Sequence, residues 1–195
     1  NSKELLSLVQ NNGLRPVNII YRDEFLAGDV IGKLEVIRNS YNIMTERRKV
    51  SYDMVVDLDI TSPLRTAADL ENLIKTHVEK NPDVTTSVTS ARRNPYFNQL
   101  MKTDHGYKKV IKSEFTSRQQ APIIYDMNAS LYAYSPIFLN TNKGVLDGYC
   151  EVIEMMDTAV LDLDYPSDLE LMQIIGDYLF KTNEAYRKVY ENIVL

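Results

Sequence analysis

The stretch VVDLDITSPLRTAADL, residues 55–70, begins like a buried strand, breaks at Ser62-Pro63 and delivers Arg65 just before a helical pattern. Side chains two apart on a strand share a face, so the carboxylates of Asp57 and Asp59 can point the same way. Asp59 falls at the strand's carboxyl end, and residues 61–65 form the strand-to-helix turn, where backbone amides and an arginine can meet an anion. The same pattern also fits a plain turn, capped by Asp59 or Thr61, with Arg65 on the surface.

Working outward, strands and helices alternate. Residues 67–80 carry Leu70, Leu73, Ile74 and His77 at helical spacing, and residues 84–88 switch to β-rich Val-Thr-Thr-Ser-Val. Upstream, VNIIY at 17–21 reads as a short strand. Ile31, Leu34, Ile37, Tyr41 and Met44 predict a helix over about 30–44, and a first helix spans 1–10, capped by Asn1 and followed by Gly13. Such order predicts one α/β domain with a mostly parallel sheet, helices on its faces and ligands beyond the carboxyl ends of the strands.

After Arg92 the pattern changes. Residues 95 to about 125 read as a projecting hairpin arm with Asp104-His105-Gly106 at its tip, and its Tyr96, Phe97 and Leu100 suit it to docking on a second subunit. Residues 128–134 alternate like a strand. Further on, Asp162 and Asp164 share one face of another predicted strand, ahead of a helix started by Pro166 with a capping box from Ser167 to Glu170. Paired carboxylates at a strand's end suit magnesium, which takes one or two carboxylates plus phosphates and water, although a solvated strand end is at least as good a reading. The tail from residue 183 repeats Tyr186, Val189, Tyr190 and Ile193 at helical spacing, and Tyr178, Tyr186 and Tyr190 are expected to pack.

Composition excludes several functions. The chain has 195 residues, 22 basic against 27 acidic and interspersed, and a net charge of -5, which argues against capture of nucleic acid. No apolar run approaches the roughly 20 residues of a membrane span. The single cysteine, Cys150, cannot form an internal bridge, which makes the reducing cytoplasm the simplest location. His77 suits a core edge, His105 a turn, and Cys150 a small buried hydrophobe.

Five segments in order, TSPLRT at 61–66, SARRNPYFN at 90–98, RQQAP at 118–122, YDMNASLY at 125–132 and LDLDYPSDLEL at 161–171, resemble the acylneuraminate cytidylyltransferases, which activate sialic acid and related nonulosonic acids with CTP. YRDEFLAGD at 21–29 resembles that family's Arg-Pro-x-x-Leu-Ala-x-Asp segment. The resemblance implies a Rossmann-like domain of the nucleotide-diphospho-sugar transferase type. It implies nucleotide contacts from Arg22, Ser62 and Arg65, and a sugar pocket of Asp59, Arg118, Asn128 and Tyr132. It further implies Mg2+ on Asp162 and Asp164, CTP and a nine-carbon acidic sugar as substrates, and a homodimer. The catalytic set is then Asp162, Asp164 and Arg118. A non-catalytic dimerising or sugar-binding remnant of such an enzyme is the alternative.

Two departures bear on the sugar: Asp59 stands where many members carry Gln, and Lys33 where they carry Ser. A third bears on turnover. Residues 1–4 resemble a segment about fifty residues into the family's chains, so the first strand and the glycine-rich triphosphate loop are expected to be missing here, and with them turnover. Protein of these 195 residues is expected to release no CTP-dependent pyrophosphate above background, and a version carrying the amino-terminal segment to do so; robust release from the shorter chain refutes the assignment of that loop.

Overall fold

The computed structural model describes residues 2–11, 17–27, 32–157 and 162–192. Among these, β1 (Val55–Leu58), β2 (Val84–Ser90), β5 (Tyr125–Tyr134) and β6 (Cys150–Glu154) make one sheet in the order β1-β5-β2-β6. A hairpin of β3 (Leu100–Thr103) and β4 (Gly106–Lys109) stands apart from it. The helices are α1 (Lys3–Asn11), α2 (Lys33–Arg48), α3 (Ala67–Lys80), the short α4 (Pro136–Leu139), α5 (Pro166–Thr182) and α6 (Glu184–Glu191).

The sheet is mixed. Strands β1, β2 and β6 run the same way, but β5 lies between β1 and β2 and is antiparallel to both, leaving β2-β6 as the parallel pairing. On one face, Val84, Tyr132, Tyr134, Phe138 and Leu139 pack with Leu34, Ile37 and Tyr41 of α2. On the other, Leu131, Ala133, Ile153 and Met155 pack on Leu70 and Leu73 of α3. A third cluster of Leu64, Met172, Leu179 and Tyr186 ties α5 and α6 to the turn after β1, with the Tyr186 hydroxyl 3.3 Å from the Leu64 carbonyl oxygen.

Local chemistry explains most boundaries. Thr66 caps α3 reciprocally: its Oγ1 accepts from Asp69 N at 3.2 Å while Asp69 Oδ2 accepts from Thr66 N at 2.8 Å. Ser2 Oγ caps α1 by accepting from Leu5 N at 3.1 Å; Asn1, Gly13 and the Val30-Ile31 start expected for α2 lie outside the described residues. Helix α2 runs past Met44 to Arg48, where arginines in the last turn favour its carbonyl end, and stops at Lys49 in the left-handed region, φ 54°.

Several expectations are corrected. Residues 17–21 form no strand: no ladder partner lies beside them among the described residues, and they run along α2, where Arg47 donates to the Ile19 carbonyl at 3.1 Å. Residues 162–164 are likewise not in a strand. At the start of α5, Asp168, not the Ser167-Glu170 pair, reaches back, accepting from Tyr165 N at 2.7 Å and Asp164 N at 3.0 Å, because Pro166 begins the helix one residue earlier. Tyr178 is 64% exposed on the outer face of α5 and does not pack, whereas Tyr186 does. In the arm Leu100 is exposed as expected, but Tyr96 and Phe97 are half-buried, with Tyr96 edge-on to Phe115.

His77 is buried, as expected for a core edge, with Nδ1 2.9 Å from Thr85 Oγ1. Burial holds its pKa below the ordinary histidine value, so the folded state keeps it neutral while the unfolded chain takes up a proton more readily. Its contribution to stability is therefore complete above the unfolded value, about 6.5, and declines as pH falls below it. Melting temperatures measured from pH 7.5 to 5.5 are expected to fall less steeply in His77→Gln than in the wild type; equal slopes would exclude this histidine as the cause.

Candidate functional site

The candidate site begins where β1 ends. Asp57 is the register partner of Tyr132 on β5, so the two side chains share the sheet face covered by α2. Lys33, in the first turn of α2, reaches down to this corner and places Nζ 2.7 Å from Asp57 Oδ2 and 2.6 Å from Asp59 Oδ2. The Asp57 contact is an ion pair between the two charges. The ammonium also lies 4.7 Å from the centroid of the Tyr132 ring.

Burial pulls the Lys33 pKa down, but the hydrogen bonds and charges of both aspartates outweigh it and leave the group above its ordinary value. For Asp59, burial works toward a higher pKa, and Lys33 together with the Thr61 amide and hydroxyl outweighs it and holds the carboxyl below its ordinary value. Its Oδ1 accepts from Thr61 N at 3.2 Å and from Thr61 Oγ1 at 2.9 Å.

The turn over residues 61–65 is tied down from within. Arg65 Nη1 donates to the carbonyls of Asp59 at 2.6 Å, Ser62 at 2.9 Å and Ser130 at 3.3 Å, so part of this guanidinium clamps backbone. Ser62 is fully buried, and its carbonyl also accepts from Ser130 Oγ at 3.0 Å. Thr61 extends the site, because its carbonyl accepts from Leu163 N at 2.9 Å. That bond sets Asp162 and Asp164, which flank Leu163, beside the turn. Neither carboxylate makes an ion pair with a described residue.

Asp59, Ser62, Arg65, Tyr132, Asp162 and Asp164 are thus brought to one corner. Asn128 lies behind it and is buried: its Oδ1 accepts from Ser87 Oγ at 2.5 Å and its Nδ2 approaches Met155 Sδ at 3.5 Å. Arg118 lies farther along the same edge of the sheet. It donates to the Ala91 carbonyl at 2.5 Å and lines a cavity of about 400 Å³ with Asn94, Gln119 and Pro122. Ala91 is five residues beyond Thr86, the register partner of Tyr132, or roughly 16 Å along the strand direction. Arg22 lines a separate cavity of about 390 Å³ between α1 and α2, with Ser2, Leu6 and Val36.

Sequence reasoning assigned no role to Lys33, which it noted as a departure, or to Asp57, which it noted as sharing a face with Asp59. A readable signal existed: opposite charges stand at two positions that both depart from one motif. Among the described residues, no group of three or more His, Cys, Asp or Glu side chains could hold a metal ion, and no helix is long and apolar enough to cross a membrane.

The chain is 34% identical over 157 residues to the post-translational flagellin modification protein B of Campylobacter coli, a match covering 79% of this chain and 66% of that protein. It is 30% identical over 174 residues to the CMP-N,N'-diacetyllegionaminic acid synthase of Campylobacter jejuni, covering 89% of this chain and 73% of that protein. The chain therefore spans about two thirds of the first relative's length and somewhat more of the second's. No family model matches.

Asn128 was expected to meet the sugar, whereas its geometry fastens a bulge in β5. Asn128→Ala leaves the buried Ser87 hydroxyl without one partner, and is expected to cost about 1–3 kcal/mol in denaturant unfolding. A stability unchanged by the substitution would return Asn128 to a ligand role.

Proposed function

This chain belongs to the acylneuraminate cytidylyltransferase family, and from that premise we propose that its protein transfers CMP from CTP to a nine-carbon acylamino sugar acid, releasing pyrophosphate. The observation that supports this most directly is the 2.9 Å bond from Leu163 N to Thr61 O, which joins the Asp162-Asp164 pair to the turn over residues 61–65 at the carboxyl end of β1. One relative is itself named as the synthase of a CMP-linked diacetylated sugar acid.

In this reading Asp162 and Asp164 hold a magnesium ion. The donor set fits: two carboxylates that make no ion pair with a described residue suit a cation that completes its shell with phosphate oxygens and water. Bound there, magnesium neutralises phosphate charge and favours ionisation of the attacking hydroxyl. The chain's own residues bind and orient. Arg118, in its cavity at the end of β2, can pair with the sugar carboxylate through two parallel hydrogen bonds. Asp59 and Tyr132 border the sugar, with Asn128 supporting them from behind; Arg65, and Arg22 from its separate cavity, border the nucleotide, while Ser62, expected there too, is buried and holds the turn instead. The anomeric hydroxyl attacks the α-phosphorus as the bond to pyrophosphate breaks, and positioning in line supplies much of the acceleration.

The hairpin arm offers a docking surface for a second copy, since Leu100, Met101 and Tyr107 are exposed on it. A cytoplasmic location belongs to this reading, supported by a single cysteine, Cys150, that can form no internal bridge.

Asp162→Asn and Asp164→Asn in the full-length protein are each expected to lower kcat/KM for magnesium-dependent pyrophosphate release at least 100-fold, about 2.7 kcal/mol, without shifting the melting temperature. Full activity in both variants would remove the metal role, and sugar binding with no transfer by the wild type would favour the non-catalytic reading.

A further inference from the structure

Four ionic or aromatic side chains from three segments meet at the end of β1. Lys33 is 42% exposed in its side chain, yet its ammonium is held by both Asp57 and Asp59 and lies against the Tyr132 ring. Asp59 is correspondingly constrained: Oδ1 takes two hydrogen bonds from Thr61 and Oδ2 takes one from Lys33. Its side chain remains 24% exposed, and its carboxylate keeps acceptor capacity beyond these three bonds.

The groups around Asp59 are Lys33 from α2, Asp57 on β1, Thr61 and Arg65 from the turn, and Tyr132 and Tyr134 on β5. Asp57, Asp59, Lys33 and Arg65 balance one another in charge, with Asp162 and Asp164 beside them across the Thr61–Leu163 bond. A glutamine in place of Asp59 could present either an N–H or a carbonyl oxygen. An aspartate pinned by an ammonium presents only an acceptor.

We propose that Lys33 is a specificity-determining residue: by fixing Asp59 as an acceptor-only group, it selects a sugar that turns an acylamino N–H, not an acyl carbonyl oxygen, toward the end of β1. This rests on the transfer reaction proposed above for the class of ligand, and adds which of the ligand's groups is read and by what. Lys33 acts as a positioning residue through Asp59. An acceptor set to receive an N–H disfavours an analogue that turns an ester oxygen toward it, because two acceptors then face each other with no proton between them.

The test compares kcat/KM of the full-length protein for a nine-carbon sugar acid bearing acetamido groups and for analogues in which each acetamido in turn becomes acetoxy, oxygen replacing N–H. The wild type is expected to disfavour one acetoxy analogue at least tenfold. The double variant Lys33→Ser/Asp59→Gln, which preserves net charge, is expected to treat parent and analogue within about threefold, since a glutamine can donate to the remaining carbonyl. In Lys33→Met the two aspartates face each other without their ammonium, so discrimination is expected to shrink between pH 7.5 and 5.5 while the wild type's holds.

A wild type that accepts every acetoxy analogue within threefold overturns the proposal and leaves CMP transfer standing. Discrimination in Lys33→Met that matches the wild type at each pH also overturns it. If Lys33→Met fails to fold, the charge-preserving double variant decides. Absence of CMP transfer to any nine-carbon acid overturns the underlying reaction instead.

Discussion

Behind the candidate site, the hydrogen bond between Ser87 Oγ and Asn128 Oδ1 fixes the path of β5, and most of the surface chemistry follows from that path. The register between β2 and β5 shifts between Thr86 and Val88, and Ala129 adopts φ 52°, a left-handed conformation costly for an L side chain. Ser87 Oγ also accepts from Leu131 N at 2.9 Å, so one buried hydroxyl holds both ends of the bulge. The bulge turns Ser130 toward the turn over residues 61–65: its carbonyl accepts from Asp59 N and Arg65 Nη1, and its hydroxyl donates to the Ser62 carbonyl. From there Thr61 O takes Leu163 N, and the two late aspartates are in place. A buried network this fully paired transmits position well, because losing any member leaves another polar group unsatisfied in a low dielectric.

Charge balance is the second constraint. Asp57 and Asp59 on one face of a strand repel each other unless a cation intervenes, and both are too enclosed to rely on water alone. Lys33 supplies that cation from the start of α2, 26 residues before Asp59. Arg65 adds a second positive charge, with Nη1 turned inward on carbonyl oxygens. These four groups balance one another in a densely polar cluster beside Asp162 and Asp164. Within that cluster, hydrogen-bond direction orients a polar ligand more than net attraction does.

Much of this was legible in the sequence, and what was not has physical reasons. Helix α3 follows from its apolar spacing and β1 from its alternation, because both depend on neighbours within a few residues, whereas the Thr66-Asp69 cap came only with the structure. The placement of β5 between β1 and β2 was not legible, because strand order is a long-range choice on which local periodicity is silent. The side on which Asn128 lies was hidden for the same reason: a bulge changes facing by one residue, and no residue type announces it. The resemblance assigned Asp59, Arg65, Asp162 and Asp164 to one site, and the bond from Leu163 N to Thr61 O sets the two segments that carry them side by side. The resemblance did not disclose that Arg65 turns part of its guanidinium onto backbone, or that Lys33 and Asp59, each odd by itself, form one ion pair.

Arg118 and the β1 corner stand at separate points on the carboxyl edge of one sheet, and the two points are held to different tolerances. Asp59 sits at the end of a strand, with its carboxylate oxygens fixed by Thr61 and Lys33. Arg118 occupies a single 3-10 turn, Arg118–Gln120, and is anchored through one bond to the Ala91 carbonyl. Recognition of a donor by an acceptor decays quickly with misdirection, whereas attraction between a guanidinium and a carboxylate falls off slowly with distance. On the proposed reading, the fold would therefore give its most rigid position to the direction-sensitive contact and its looser one to the contact that Coulomb attraction keeps favourable over a range of geometries. Discrimination among sugars that share a carboxylate would then come from the β1 corner, and the cavity around Arg118 would hold the acidic group they have in common.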